Sequence, residues 1–180
     1  VENDSDWQNL EVKIGEVGEI IVAGEHVCEK YFNNEEATRT TKIRDNQNRV
    51  WHRTGDLGRV DTNGNLWLVG RVHNAIDRKG TYLFPVRAEF VIKKAKGVKQ
   101  AAFLGIEDSE LGEKTVAVYS IEESVSSPEE VQKEVQELLK FNEIIVDKIA
   151  QADEIPMDPR HHSKVEYGLL RNQLKEQGKI

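Results

Sequence analysis

The chain has 180 residues, 32% of them charged, with a formal net charge of −7. That acidic balance argues against nucleic acid as a main partner, since phosphate binding is driven by clustered Lys and Arg. No apolar run reaches the ~20 residues that a membrane-spanning helix needs, and the single cysteine, Cys28, allows neither an internal disulfide nor a cysteine metal cluster.

A soluble, cytoplasmic protein is expected, with no transmembrane segment and no signal peptide ahead of the first strand. Cys28 is expected to pack as a small apolar residue. The length suits one large or two small domains. Because the chain begins with Val in a polar segment, it is expected to be a fragment of something longer.

Residues 16–24 have a continuous apolar centre bounded by glycines, which predicts a strand buried on both faces. Residues 30–38 predict a turn into a short helix, with Asn34 capping the free amides and Glu35 and Glu36 in the first turn. Residues 39–50 are polar and predict an exposed connection leading to a strand at Trp51. Residues 57–61 and 66–69 are β-prone, and Asn63-Gly64 between them supplies the positive φ angles of a tight hairpin turn. Thr54-Gly55-Asp56 then places a carboxylate just before the first strand of that hairpin, and Arg71 leaves the second. Antiparallel pairing brings the two ends together. A carboxylate can take both hydroxyls of a ribose, and a guanidinium offers fixed donors to the same sugar or its phosphate. The commoner role of such a pair is a surface ion pair or a turn residue.

Val72-His73-Asn74 has no apolar pattern and marks a boundary between residues 1–71 and 72–180. A second hairpin is predicted to turn at Arg78-Lys79-Gly80. Pro85 fits a first helical position, with Val86, Phe90 and Val91 as the apolar side of a helix that Gly97 ends. Residues 98–106 and 114–121 predict strands separated by an acidic loop. Ser127-Pro128-Glu129-Glu130 is a capping-box start, and Val131, Val135, Leu138 and Leu139 form one stripe of the helix that follows. Residues 144–149 predict a strand and 166–177 a last helix, with Leu170 and Leu174 one turn apart. No internal repeats stand out. The fold class is α+β, the second part a small domain of about three strands with covering helices.

Between that strand and that helix, Pro156 and Pro159 keep residues 155–165 out of regular structure. Arg160, His161, His162 and Lys164 make this loop basic, suited to a phosphate or carboxylate and equally to plain solvation. Metal binding by His161 and His162 is not expected, because adjacent residues seldom face one ion and no third ligand is near.

In this order, three stretches resemble the C-terminal part of the adenylate-forming enzymes, the superfamily of acyl-CoA synthetases, luciferases and peptide-synthetase adenylation domains. Gly18-Glu19-Ile20-Ile21-Val22 with residues 31–38 is similar to the family's strand and its G-Y-x-N-x-P-E-A-T segment. Arg53-Thr54-Gly55-Asp56 matches R-T-G-D, and Gly70-Arg71 matches the G-R that opens the family's hinge. The resemblance implies an α+β fragment: residues 1–71 end the large, β-barrel-like N-terminal region, and residues 72–180 are the mobile C-terminal domain, with the N-terminal domain of the parent chain as its partner. It implies that Asp56 and Arg71 bind the ribose of ATP and AMP. Lys164 would be the catalytic lysine that neutralises charge as a carboxylate attacks the α-phosphate. His73 would be the hinge residue, and Gly80 would give pantetheine close backbone access.

Implied substrates are ATP with Mg²⁺, a carboxylic acid of fatty type, and CoA, with no metal held by this chain. Where the hinge is usually Asp or Lys, His73 stands; Asp77 replaces a basic residue, and Ser163 replaces the glycine before the lysine. Residues 158–164 look most like the fatty-acyl ligases of olefin biosynthesis, which make a β-lactone. These departures bear on the acceptor, so β-lactone closure or carrier-protein acylation is an alternative to CoA, and a non-catalytic nucleotide-binding domain is another. The family's Gly-rich phosphate loop and acyl pocket are not in these residues, so the fragment alone is expected to be inactive.

Overall fold

A computed structural model describes residues 10–159 and 164–180. The chain divides into two compact units, Val1–His73 and Asn74–Ile180. Among the described residues no helix is long and apolar enough to cross a membrane.

The first unit holds β1 (Val17–Ala23), α1 (Glu35–Thr41), β2 (Lys42–Arg44), β3 (Val50–Val60) and β4 (Leu66–Arg71). All pairings are antiparallel and β3 is the hub: β1 runs along one edge, while β2 and β4 pair with the two ends of the other. Asn34 caps α1 as expected, its Oδ1 accepting the Ala37 amide at 2.9 Å, with Glu35 and Glu36 in the first turn. Every residue of β1 is half-buried rather than buried on both faces, because among the described residues the unit supplies one seven-residue helix and no second full layer. Cys28 is exposed, not packed.

The turns entering and leaving β3 are built alike, a repetition that the sequence hid. Asp61 and Asn65 close a five-residue turn through Asp61 N to Asn65 O at 3.0 Å and Gly64 N to Asp61 O at 3.0 Å, with Gly64 alone at positive φ, +81°. This replaces the tight turn expected at Asn63-Gly64. Its organiser is the Asp61 carboxylate, which accepts the amides of Asn63 and Asn65 and the Trp67 indole N–H at 2.8 Å. Asp45 does the same one turn earlier, accepting the amides of Gln47 and Arg49 and the Trp51 indole at 3.0 Å, with Asn48 at φ +61° in the glycine's place. Residues 39–50 are therefore folded rather than an open connection, and Asp45 is buried. The Trp51 indole, chiefly, holds the Asp45 carboxyl down at about 2, and the Trp67 indole likewise lowers Asp61.

A 3-10 turn, Val72–Asn74, lies where the units divide. The second unit opens with the hairpin β5 (Ile76–Arg78) and β6 (Thr81–Leu83). Lys79 at φ +51° and Gly80 at φ +89° make its two-residue turn, the tight geometry that matches strand twist. Next come α2 (Pro85–Ile92), β7 (Val98–Asp108), β8 (Gly112–Ile121), α3 (Pro128–Phe141), β9 (Lys148–Gln151) and α4 (Tyr167–Glu176). The sheet order is β7-β8-β9, with β7 antiparallel and β9 parallel to β8.

Alternation along the strands decides which helix each face receives. Ala101, Phe103, Ala117 and Tyr119 pack with Ala88, Val91 and Ile92 of α2 and Val131, Val135 and Leu139 of α3. Ala102, Leu104, Val116 and Val118 pack with Ala150, Ile155 and the fully buried Leu170 and Leu174 of α4. The unit is thus three layers with the sheet in the middle.

Several expectations shift here. The buried face of α2 is Pro85, Ala88, Val91 and Ile92, so Val86 and Phe90 point to solvent, and the helix stops at Ile92 with Gly97 closing the turn before β7. The acidic loop shrinks to residues 109–111, because the Asp108 carboxylate accepts the amides of Glu110 and Leu111. Ser127 stands at the N-cap without a side-chain hydrogen bond, so no capping box forms. The strand expected at residues 144–149 forms instead at Lys148–Gln151, which pairs with β8, so only residues 148 and 149 of the predicted stretch are in it. Ahead of them Asp147 turns inward to Thr115 and Arg78.

Candidate functional site

Residues 53–56 lie inside β3, not ahead of it. Opposite the single residue Ile20 of β1, β3 carries three, Thr54-Gly55-Asp56, since Glu19 pairs with Leu57 and Ile21 with Arg53. Such a bulge re-aims a side chain out of the regular alternation. Gly55 takes φ +72°, which a side chain would strain. The bulge is held from both sides: the Thr54 hydroxyl donates to the Ile20 carbonyl at 2.7 Å and accepts the Asp56 amide at 3.1 Å. Glu19 accepts the Gly55 amide at 3.2 Å and the Arg53 guanidinium at 2.6 Å. Glu19 was missed as a supporting residue; a carboxylate within an otherwise apolar strand was its signal.

On the other edge Asp56 and Arg71 are direct cross-strand partners, with Arg71 Nη1 2.9 Å from Asp56 Oδ1. The side chains stay 32% and 41% exposed, so as an ion pair alone they contribute only about 0–1 kcal/mol. A carboxylate offers about four lone-pair sites on two oxygens. One guanidinium contact leaves capacity for a diol.

His73 is exposed in the 3-10 turn. Gly80 is at the tip of the β5–β6 hairpin, and a side chain there would meet nothing within 4 Å. The Asp77 carboxylate is used locally, accepting the Gly80 amide at 2.7 Å. Lys164 is exposed; its carbonyl accepts the Asp158 amide at 2.8 Å, and its ammonium makes no ion pair among the described residues. Arg160, His161, His162 and Ser163 lie outside the described residues, so the basic character expected of that loop is represented only by Lys164. No group of three or more His, Cys, Asp or Glu suited to a metal ion occurs among the described residues.

No protein-family model matches the chain. Over 107 residues it is 38% identical to an olefin beta-lactone synthetase of Stenotrophomonas maltophilia, covering 57% of this chain and 19% of that protein. Over 161 residues it is 29% identical to a long-chain-fatty-acid–CoA ligase of Mycobacterium tuberculosis, covering 89% of this chain and 29% of the other. Its fold superposes on the o-succinylbenzoate CoA synthetase of Bacillus subtilis in complex with an acyl-adenylate, with a TM-score of 0.72 and 29% identity, over 91% of this chain and 31% of that one. The chain therefore spans between about a fifth and a third of the length of the proteins it resembles.

Proposed function

We propose, from the chain's likeness in sequence and fold to the C-terminal region of adenylate-forming, AMP-binding ligases, that it is the C-terminal portion of an enzyme that activates a carboxylic acid, of fatty type, as an acyl-adenylate and passes the acyl group to CoA. The observation that carries this reading is the Asp56–Arg71 pair, held on a bulge inside an Arg-Thr-Gly-Asp sequence and open to solvent. Asp56 accepts the ribose hydroxyls of ATP and then of AMP, while Arg71 fixes the carboxylate and adds donors to the sugar. Lys164 supplies an ammonium where the acid's carboxylate approaches the α-phosphate, two anions that otherwise repel. Mg²⁺ arrives on the phosphates of ATP rather than on a site of this chain.

The rest of the cycle follows the domain reading. Residues 1–71 belong to the large N-terminal region and 72–180 to a mobile lid. Rotation about His73 brings the Lys164 loop to the nucleotide for adenylation, and then the hairpin around Gly80, whose bare tip lets pantetheine approach the backbone. A second reading, closure of a β-hydroxyacyl adenylate to a β-lactone in place of transfer to CoA, is favoured by the 38% identity to an olefin beta-lactone synthetase.

The test is pyrophosphate release by the full-length parent enzyme across a panel of acids with ATP and Mg²⁺. Release that needs an acid and falls at least about a hundredfold in Lys164→Ala supports adenylation. Release of AMP only with CoA supports the thioester route, and AMP release without any acceptor supports lactone closure. Unchanged activity in Lys164→Ala overturns the reading in favour of a non-catalytic nucleotide-binding domain.

A further inference from the structure

The segment that carries Lys164 is fastened at its base. Met157 and Val165 form an antiparallel bridge. The Asp158 amide donates to the Lys164 carbonyl at 2.8 Å and the Glu166 amide to the Pro156 carbonyl at 2.9 Å. Three residues beyond Lys164, Tyr167 opens α4, and its hydroxyl donates to Glu89 Oε1 on α2. The same oxygen accepts the Phe103 amide of β7 at 3.0 Å. One turn further along α4, Arg171 Nε donates to the Gly105 carbonyl at 3.0 Å.

These contacts are unusual in where they reach. α2 covers one face of the central sheet and α4 the other, so Tyr167 and Glu89 meet around β7, an edge strand paired only with β8 among the described residues. Glu89 satisfies an edge amide that would otherwise lack a strand partner and presents its carboxylate to the tyrosine at the same time. Burial raises both groups from their ordinary values, the Glu89 charge adding to the effect on Tyr167, so the phenol keeps its proton at neutral pH. Tyrosine has two rotatable bonds, which makes this tether stiffer than a long polar side chain would be.

We infer that the Tyr167–Glu89 hydrogen bond is a clasp that fixes where Lys164 stands, and that both are positioning residues for the adenylation step but not for the step that consumes the adenylate. The inference rests on the role given to Lys164 above. Between them, the Met157–Val165 bridge and the clasp bracket the lysine within three residues on its C-terminal side. Misplacing a reacting group by about 1 Å can cost on the order of a hundredfold in rate, and releasing one end of this bracket permits such a shift.

The experiment compares two half-reactions of the full-length parent enzyme: acid-dependent pyrophosphate release, and consumption of supplied acyl-adenylate. Tyr167→Phe and Glu89→Ala, which break the bond from opposite sides, are expected to lower kcat for pyrophosphate release about tenfold or more, with little change in the KM for ATP. Consumption of acyl-adenylate is expected to be unchanged. Glu89→Gln retains an acceptor oxygen and is expected to keep most of the rate. Equal loss in both half-reactions shows a merely structural role and overturns the clasp. Full pyrophosphate release in Tyr167→Phe and Glu89→Ala, alongside its collapse in Lys164→Ala, also overturns the clasp and leaves the proposed function standing. Full release in Lys164→Ala overturns both.

Discussion

The two units hold their shapes by different means. The second wraps a sheet between two helix layers, so that consecutive residues of β7 and β8 are buried on opposite faces. Among the described residues the first has one short helix with a four-stranded sheet, and its strands are mostly half-buried. What it lacks in layers it replaces with carboxylates: Asp45 and Asp61 each gather a turn, and Glu19 braces the bulge of β3. The proposed ribose pair lies in the unit organised by polar contacts, and the proposed lysine in the unit organised by a core. Side chains that must face a ligand thus have different supports, and substitutions should cost differently in the two.

The largest contrast is expected from truncating apolar residues. Leu170→Ala empties a fully buried position and is expected to cost about 2–5 kcal/mol, whereas Ile21→Ala on half-buried β1 is expected to cost about 1–2 kcal/mol. Chemical denaturation of both variants decides it, and equal losses would break the contrast between a layered and an unlayered unit.

A smaller effect concerns Asp147, whose carboxylate accepts from the Thr115 amide and hydroxyl and pairs with Arg78, tying the β5–β6 hairpin to the sheet. Asp147→Ala is expected to cost about 1–3 kcal/mol by leaving those donors unmet. Burial alone would raise this carboxyl, but the Thr115 amide, Arg78 and the Thr115 hydroxyl together bring it below its ordinary value. A depressed carboxylate stabilises the fold above its unfolded value, and that contribution fades as the pH falls below the ordinary carboxylate range. Burial holds Glu89 above its ordinary value, so its contribution runs the other way, present in acid and lost as the pH rises through the raised value. Denaturation midpoints followed from pH 7 down to 3 should therefore lose a stabilising component in Glu89→Gln and a destabilising one in Asp147→Asn; a profile that neither variant alters would show that these groups do not govern acid stability.

The smallest stability effect is expected at the proposed ligand. Asp56→Ala should change stability by less than about 1 kcal/mol because its ion pair is half-exposed. In the full-length parent, nucleotide binding measured by calorimetry should weaken far more than that. A variant that binds ATP as wild type would remove Asp56 from the ribose role.

Much of this arrangement was legible where one residue type had one physical use. Asn34 before two glutamates read as a cap, Leu170 and Leu174 read as one buried face, and Lys79-Gly80 read as a hairpin tip, and each does so in the structure. Asp56 and Arg71 were brought together by counting along a hairpin, although the bulge that aims Asp56 was not visible. The misreadings came from residues with two uses. Val86 and Phe90 outweighed Ala88 as apolar signals, yet the small residue is the one that fits against the sheet. Ser127-Pro128-Glu129-Glu130 has the letters of a capping box, but letters do not fix a rotamer. The paired turns went unseen because Asn48 and Gly64 look unlike and share only their backbone conformation. Glu89 and Tyr167 are 78 residues apart, beyond the reach of any local pattern.

The twin turns leave the molecule with a built-in optical asymmetry. Its three tryptophans are Trp7, Trp51 and Trp67, all in the first unit, while the second carries none. Two of those indoles donate to an ionised carboxylate. Intrinsic fluorescence excited at the red edge therefore comes only from tryptophans of the first unit, and opening either turn changes the colour and brightness of the light.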